Sequence, residues 1–191
     1  NVPRGFPGSH SLDLLHQSLD VFLKTGILRS PTFDKSLRDG KGDRSGWCEL
    51  KSKILILEGW FVGCEPVSDL NKIDSLSEDK FNLSLSQDEK DYRSLIQESL
   101  IKYSKIWKKF DKIWHLKSSH FNNTILWKTQ QEEEMIKIRG SGLKGNNLTD
   151  FIRMIQSSIP QQSLSFINAD TTVQINQHRR IDKLLTTKYH F

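Results

Sequence analysis

Cysteine is scarce in this chain: Cys48 and Cys64 are the two among 191 residues. No second pair accompanies them, and no CxxC or Cys/His spacing of a zinc module occurs. A disulfide framework and a structural zinc site are therefore excluded, and a reducing, cytoplasmic compartment is the expected setting. Long apolar runs are missing as well. No stretch approaches the ~18 residues needed to cross a bilayer, and no secretory h-region is present, so no membrane association is expected. The first residue is Asn1 and not Met. A segment upstream is expected for that reason, and any organellar targeting sequence would lie there.

What is present reads as an ordinary globular domain: 36% hydrophobic and 27% charged residues, with a formal net charge of +5. A chain of this length is normally one domain and buries enough surface to need no covalent staple. The positive balance raises the question of nucleic acid, which binds clustered Lys and Arg interleaved with aromatics. The nearest match is Lys102 to Lys112. As a helix, that stretch places Ile106, Phe110 and Ile113 on one face and Lys102, Lys105 and Lys109 on another. This is plain amphipathicity, so no nucleic-acid partner is expected. A modest positive charge suits anionic small-molecule ligands equally well.

Along the chain, apolar residues at Leu12, Leu15, Leu19, Phe22 and Leu23 predict a helix over 11–24, stopped by Gly26. Residues 34–47 are rich in Gly, Asp, Lys and Arg and read as a polar loop. Ile54 to Leu57 is an unbroken apolar run ending at Glu58-Gly59, the signature of a strand buried on both faces in a parallel sheet. Residues 66–90 read as a long polar surface excursion. Helices are expected from about Asp91 to Lys109, over Thr124 to Ile138, and again from Thr149-Asp150 through Ile155, closed off by Pro160. Ile113 to Leu116 and Thr171 to Ile175 are further short strand candidates. Strands separated by helices predict an α/β protein with a largely parallel sheet.

Gly140-Ser141-Gly142-Leu143-Lys144-Gly145 matches G-x-G-x-x-G. It follows a charged helix and not a strand, so a mobile lid loop fits better than a dinucleotide site. The phosphate-binding loop G-x-x-x-x-G-K-[ST] is absent: Gly40-Lys41-Gly42 has no Ser or Thr after its lysine. The nest of backbone N–H groups and the lysine that such a loop offers a triphosphate are missing with it. Glu58, at the end of a buried strand, stands where α/β proteins bind ligands. It can hold Mg²⁺ through water or orient a nucleophile, or else serve as a loop glutamate. Asp34, Lys35, Ser36 and Arg44 put a carboxylate, an ammonium, a hydroxyl and a guanidinium in one loop, able to clamp a small anion or to pair locally in solvent. His16 lies on a helix, whereas His10 stands in a Pro7-Gly8-Ser9 turn and is the better site candidate.

Taken in order, these fragments resemble the D-glycerate 3-kinases. Arg4-Gly5-Phe6-Pro7-Gly8-Ser9-His10 is similar to their RG-x-PG-[ST]-H segment. Pro31-Thr32-Phe33-Asp34-Lys35-Ser36 with Gly40-Lys41-Gly42-Asp43-Arg44 is similar to their P-x-[FY]-DKS…G-x-GDR. Glu58-Gly59-Trp60-Phe61-Val62-Gly63 resembles their EGW-x-x-G, and Trp127 with Gln130, Gln131 and Glu132 their W[RK]-x-QQE helix. Asp170 also has a counterpart.

The resemblance implies a P-loop kinase fold related to uridine kinase, phosphoribulokinase and pantothenate kinase. It implies MgATP-dependent phosphorylation of the 3-hydroxyl of D-glycerate, with ATP and Mg²⁺ as cofactors. Asp34 and Glu58 are then the catalytic carboxylates, Glu58 near the metal through water. Lys35, Ser36, Arg44 and His10 bind the acceptor, and Lys128 and Arg139 belong to a lid over about 124–146. Two departures stand out. The family's phosphate-binding loop and an Asp-Asp-Phe-Tyr-like segment precede the RG-x-PG-[ST]-H element, and neither occurs in this chain. Ser11 also replaces the aspartate that usually follows the histidine. Residues 1–191 are thus expected to be the C-terminal part of one kinase domain, lacking its first strand and inactive alone. The alternatives are a non-catalytic binding protein that kept the fold, or a kinase for another small acceptor such as pantothenate.

Overall fold

The computed structural model describes residues 3–67, 69, 84–160, 163–164 and 168–187; most of the polar stretch expected over 66–90 lies outside them. Helix α1 (Leu12–Thr25) forms as its apolar spacing dictates and ends at Gly26, whose left-handed φ of 70° lets its N–H close on the Phe22 carbonyl at 2.8 Å.

The polar stretch that follows is not a loop. Ile27–Asp34 (β1) and Asp43–Lys51 (β2) pair as an antiparallel hairpin, from Ile27 opposite Lys51 to Asp34 opposite Asp43, with an irregularity between Thr32 and Phe33. Alternation was unreadable because β2 is largely exposed along its whole length. Register rests on main-chain pairing, on the Thr32–Ser45 hydroxyl contact of 3.0 Å, and on Arg29 lying 5.0 Å over the Trp47 ring.

The run Ile54 to Leu57 corrects the expectation of a doubly buried strand. It pairs with no strand among the described residues, and Ile54 and Ile56 are 75% and 85% exposed. Its alternate residues Leu55 and Leu57 pack inward on Leu19, Tyr103, Ile106 and Trp107. One face of the run has found a core, and the other is exposed.

Helix α2 (Gln87–Trp107) organises the interior. Ser86 and Glu89 form a reciprocal capping box at its start. Arg93, Ile96, Gln97, Leu100, Tyr103, Ile106 and Trp107 recur at helical spacing and are buried. The helix thereby joins two apolar clusters: one with Phe6, Phe61, Cys64 and Ile159, the other with Leu19 and the inward residues of the 54–57 run.

After it come β3 (Trp114–Ser118), α3 (Phe121–Arg139), α4 (Asn146–Ser158), β4 (Thr171–Ile175) and β5 (Ile181–Thr186). β3 and β4 are parallel, as expected of a crossover through helices. β5 is antiparallel to β4, because the turn over 176–180 is too short to return the chain to the other end. The sheet is therefore mixed and not wholly parallel. The class is α/β. Among the described residues no helix is long and apolar enough to cross a membrane.

Candidate active site

The segment from Pro3 to His10 is a compact double turn. Phe6 N–H donates to the Pro3 carbonyl at 3.2 Å and Ser9 N–H to the Phe6 carbonyl at 3.0 Å. The Ser9 hydroxyl donates to the Phe6 carbonyl at 2.7 Å and accepts from Gly5 N–H at 3.0 Å. Gly5 and Gly8 sit at φ of 90° and 93°, where an L side chain is strained. The turn anchors Phe6 in the core, its ring 5.2 Å from that of Phe61. That contact joins the first motif segment to the Glu58–Gly63 segment. Arg4 and His10 are left on the outer side.

Arg4 reaches the tip of the hairpin. Its Nη1 donates to the Lys41 carbonyl at 3.1 Å, and its guanidinium lies 5.8 Å from the Phe33 ring centroid. Gly42 lies beneath both: a Cβ there would meet the Phe33 ring at 2.5 Å and Arg4 Nη1 at 2.9 Å. Lys35, Ser36 and Arg44 are exposed around this tip. Asp34 Oδ1 accepts from Ser36 N–H at 2.8 Å and from its hydroxyl at 2.6 Å. These two bonds hold the Asp34 carboxyl below the usual carboxylate range. Asp43 accepts from Arg44 N–H at 2.8 Å and pairs with Arg38 at 3.5 Å, which shapes the loop that carries Arg44.

His10 meets α2. Its Nδ1 is 2.7 Å from the Tyr103 hydroxyl, with the rings edge to face at 83°. Burial lowers the His10 pKa.

Glu58 is exposed just before the Gly59–Cys64 turn. Its neighbour Trp60 is edge-on to Phe151 of α4 at 6.1 Å, and the Lys128 ammonium of α3 lies 5.0 Å from the Phe151 centroid. Lys128 pairs with buried Glu132 at 2.5 Å, and Glu132 also accepts Leu143 N–H at 2.8 Å. Gly140 ends α3 in the left-handed region, and a Cβ on Gly142 would strike Ile136 at 2.9 Å. The 140–145 segment is thus pinned to the α3 helix, and between it and α4 lies a cleft of about 590 Å³. Arg139 is exposed at the C-terminal end of α3, apart from the other candidates.

The structure therefore brings together the 4–10 turn, the hairpin tip and the 58–64 turn, and links the last to α3 through Phe151. Among the described residues no hydrogen bond or ion pair joins Glu58 or Arg139 to the hairpin residues. Asp170 accepts Ile113 N–H at 2.9 Å and Lys112 at 3.2 Å, which ties the entry of β3 to that of β4. Arg4 and Tyr103 are the residues that inspection of the sequence passed over as site residues. Arg4 stood inside a motif, and Tyr103 carried no signal beyond its place on a buried helix face.

No family model matches the chain. In Saccharomyces cerevisiae, a protein named as the probable ATP-dependent kinase TDA10 is 28% identical over 182 residues, covering 88% of this chain and 58% of the relative. The chain thus spans less than two thirds of that relative's length. A solved D-glycerate 3-kinase from Cryptococcus neoformans superposes with a TM-score of 0.81 at 24% identity, over 96% of this chain and 69% of its own. The solved YGR205w protein gives 0.72 at 25% identity, over 98% of this chain and 68% of its own.

This is the fold of the glycerate-kinase-like P-loop kinases. Within this fold the three segments that meet at the 4–10 turn are among those whose residue types carried the resemblance.

Proposed function

We propose that this chain binds a small hydroxy acid of the D-glycerate class at the hairpin tip and takes part in phosphoryl transfer from MgATP to its 3-hydroxyl. One observation carries the reading: Arg4 of the first segment closes on Lys41 and Phe33 of the second, at 3.1 Å and 5.8 Å, within a glycerate-kinase-like fold. That closure brings Arg4 to the hairpin tip that also carries Asp34, Lys35 and Arg44, a set that suits an acceptor with both a carboxylate and hydroxyls. The names of the yeast and Cryptococcus relatives support the same direction.

In this reading Lys35, Arg44 and Ser36 hold the acceptor carboxylate, and His10 contributes one hydrogen bond. Asp34 uses Oδ1 twice internally and keeps Oδ2 for the acceptor hydroxyl. Its depressed pKa suits a group that orients a hydroxyl toward a loose phosphoryl-transfer transition state, where positioning counts for more than strong basicity. Glu58 is the second catalytic carboxylate. An exposed single carboxylate fits contact with Mg²⁺ through water, since that ion keeps much of its water shell. Mg²⁺, when bound with ATP, supplies charge neutralisation at the transferring group. Residues of about 124–146 act as the lid, with Lys128 and Arg139 as its cations, and a cytoplasmic setting goes with this reading.

A second reading has its own support: the 191 residues contain no G-x-x-x-x-G-K-[ST]. On that reading the chain is a binding protein that kept the kinase fold. The test is to incubate the protein with MgATP and D-glycerate, and separately with pantothenate, following phosphate transfer by ³¹P NMR and acceptor binding by calorimetry. Formation of 3-phosphoglycerate, weakened by Lys35→Ala and Arg44→Ala through a raised KM, is the expected result. Binding of D-glycerate with no transfer selects the second reading. Phosphorylation of pantothenate alone changes the acceptor, and no binding of either compound overturns the assignment of the pocket.

A further inference from the structure

The Tyr103 hydroxyl faces one backbone donor and one ring nitrogen. Gly8 N–H donates to it at 3.1 Å, and His10 Nδ1 lies 2.7 Å away. A phenol oxygen has two acceptor lone pairs and one proton. The Gly8 amide can only donate and takes one lone pair. Among the described residues Nδ1 is the partner that can receive the phenol's own proton, so Nδ1 is the acceptor and carries no hydrogen. Tyr103 is 5% exposed. The reverse arrangement, with Nδ1–H facing Tyr103, would leave a buried hydroxyl proton without an acceptor, which is costly. A neutral imidazole with a bare Nδ1 carries its proton on Nε2, on the far side of the ring, and His10 keeps surface open to solvent while its Tyr103 contact is partly buried.

We propose that Tyr103 is a positioning residue which locks His10 as a neutral Nε2–H donor to the small hydroxy acid bound at the hairpin tip. The location of the acceptor rests on the function proposed above, and the tautomer rests on hydrogen-bond geometry alone. His10 is consequently not a general base: its one free lone pair is already engaged by Tyr103. The lowered pKa of His10, caused by burial, agrees with a ring that stays neutral. The double turn contributes too, since Gly8 in its left-handed conformation aims its N–H at the phenol oxygen and thereby commits one lone pair.

The test is ¹⁵N NMR of the His10 ring in the protein, in the wild type and in Tyr103→Phe, each titrated with D-glycerate. The wild type should show an unprotonated, hydrogen-bonded Nδ1 and a protonated Nε2 that shifts as D-glycerate binds. Tyr103→Phe should give a mixture of tautomers and D-glycerate affinity weaker by about tenfold, the size of one lost hydrogen bond. Where transfer is measurable, KM should rise with kcat little changed. A protonated Nδ1 in the wild type overturns the proposal whatever the reaction, and does so even if Tyr103→Phe fails to fold. An unchanged tautomer in a folded Tyr103→Phe also overturns it. If D-glycerate moves the Lys35 and Arg44 signals but leaves His10 unmoved, the donor role fails and the acceptor pocket stands. If none of the three responds, the pocket assignment itself fails.

Discussion

Two glycines at the hairpin tip separate conformational strain from a blocked contact. Gly40 and Gly42 have similar left-handed φ, 80° and 83°, yet a Cβ on Gly40 meets nothing within 4 Å while one on Gly42 meets Phe33 and Arg4. Alanine at either should cost about 1–2 kcal/mol of backbone strain. The atoms in the way at Gly42 are the far ends of two side chains, so they can move aside. Their displacement breaks the closure of Arg4 on the tip without much further loss of stability. Gly42→Ala should therefore shift the Phe33 ring-proton signals and weaken D-glycerate binding, while Gly40→Ala lowers the melting temperature to a similar extent and leaves both unchanged. Equal binding by the two variants would remove Arg4 from the acceptor site. The sequence displayed the chemistry of these residues and not their meeting. Arg4 and Gly42 are 38 positions apart, and nothing in spacing or composition announces that a turn and a hairpin tip will touch; the likeness to a family supplied that link. Tyr103 was hidden for another reason. It stands one helical turn from Leu100 and Trp107 on the core face, and only its hydroxyl, which no periodicity reports, faces the site.

At the scale of elements, the α2–α4 contact is fastened by one charged pair. Arg153 donates to both oxygens of Glu89 at 2.6 Å and to the Ser84 carbonyl at 2.8 Å. Glu89 is at the same time the third residue of the capping box. Chiefly through the Arg153 hydrogen bonds, its pKa falls from 4.5 to about 2. A carboxylate with a depressed folded-state pKa contributes stability above its unfolded value and loses it as pH falls through the folded one. Glu89→Gln keeps the capping hydrogen bonds and removes the charge. It should cost about 1 kcal/mol near pH 7, as expected of a bidentate but partly exposed pair. Denaturation titrations should show the gap to wild type constant above pH 4.5 and closing as pH falls toward about 2. A gap that does not depend on pH would assign the loss to packing.

Elements also differ in how they could be read beforehand. The first and second helices follow from apolar residues at three- and four-residue spacing, and the third from a run of charged helix formers closed by Gly140. The β1–β2 hairpin could not be read, since β1 is half-buried without a strict alternation and β2, largely exposed, imposes none on its residues. β5 was missed for the same reason, being exposed along its length.

For the molecule as a whole, the run from Ile54 to Leu57 was misread in an instructive way. Four consecutive apolar residues do predict burial on both sides, and the structure supplies one side only. Leu55 and Leu57 are packed, while Ile54 and Ile56 stand 75% and 85% exposed. Across the sheet, β3 pairs with β4 and with no other described strand, and its Trp114 and Leu116 are 66% and 65% exposed. Two apolar segments with unpaired main-chain groups are what promotes association between copies of a chain. The 191-residue polypeptide by itself should self-associate as its concentration rises, and sedimentation velocity should show species larger than the monomer. A single charge on either segment, Ile56→Lys or Leu116→Lys, should suppress those species at little cost in stability, because both side chains already face solvent. The open segments should also leave the chain marginally stable, with thermal unfolding below about 50 °C, near the lower end of the range for mesophilic domains. A monomer at high concentration with a cooperative transition well above that temperature would show that these two segments are tolerated as free surface, and would weaken the case that they are the unfinished part of a kinase core.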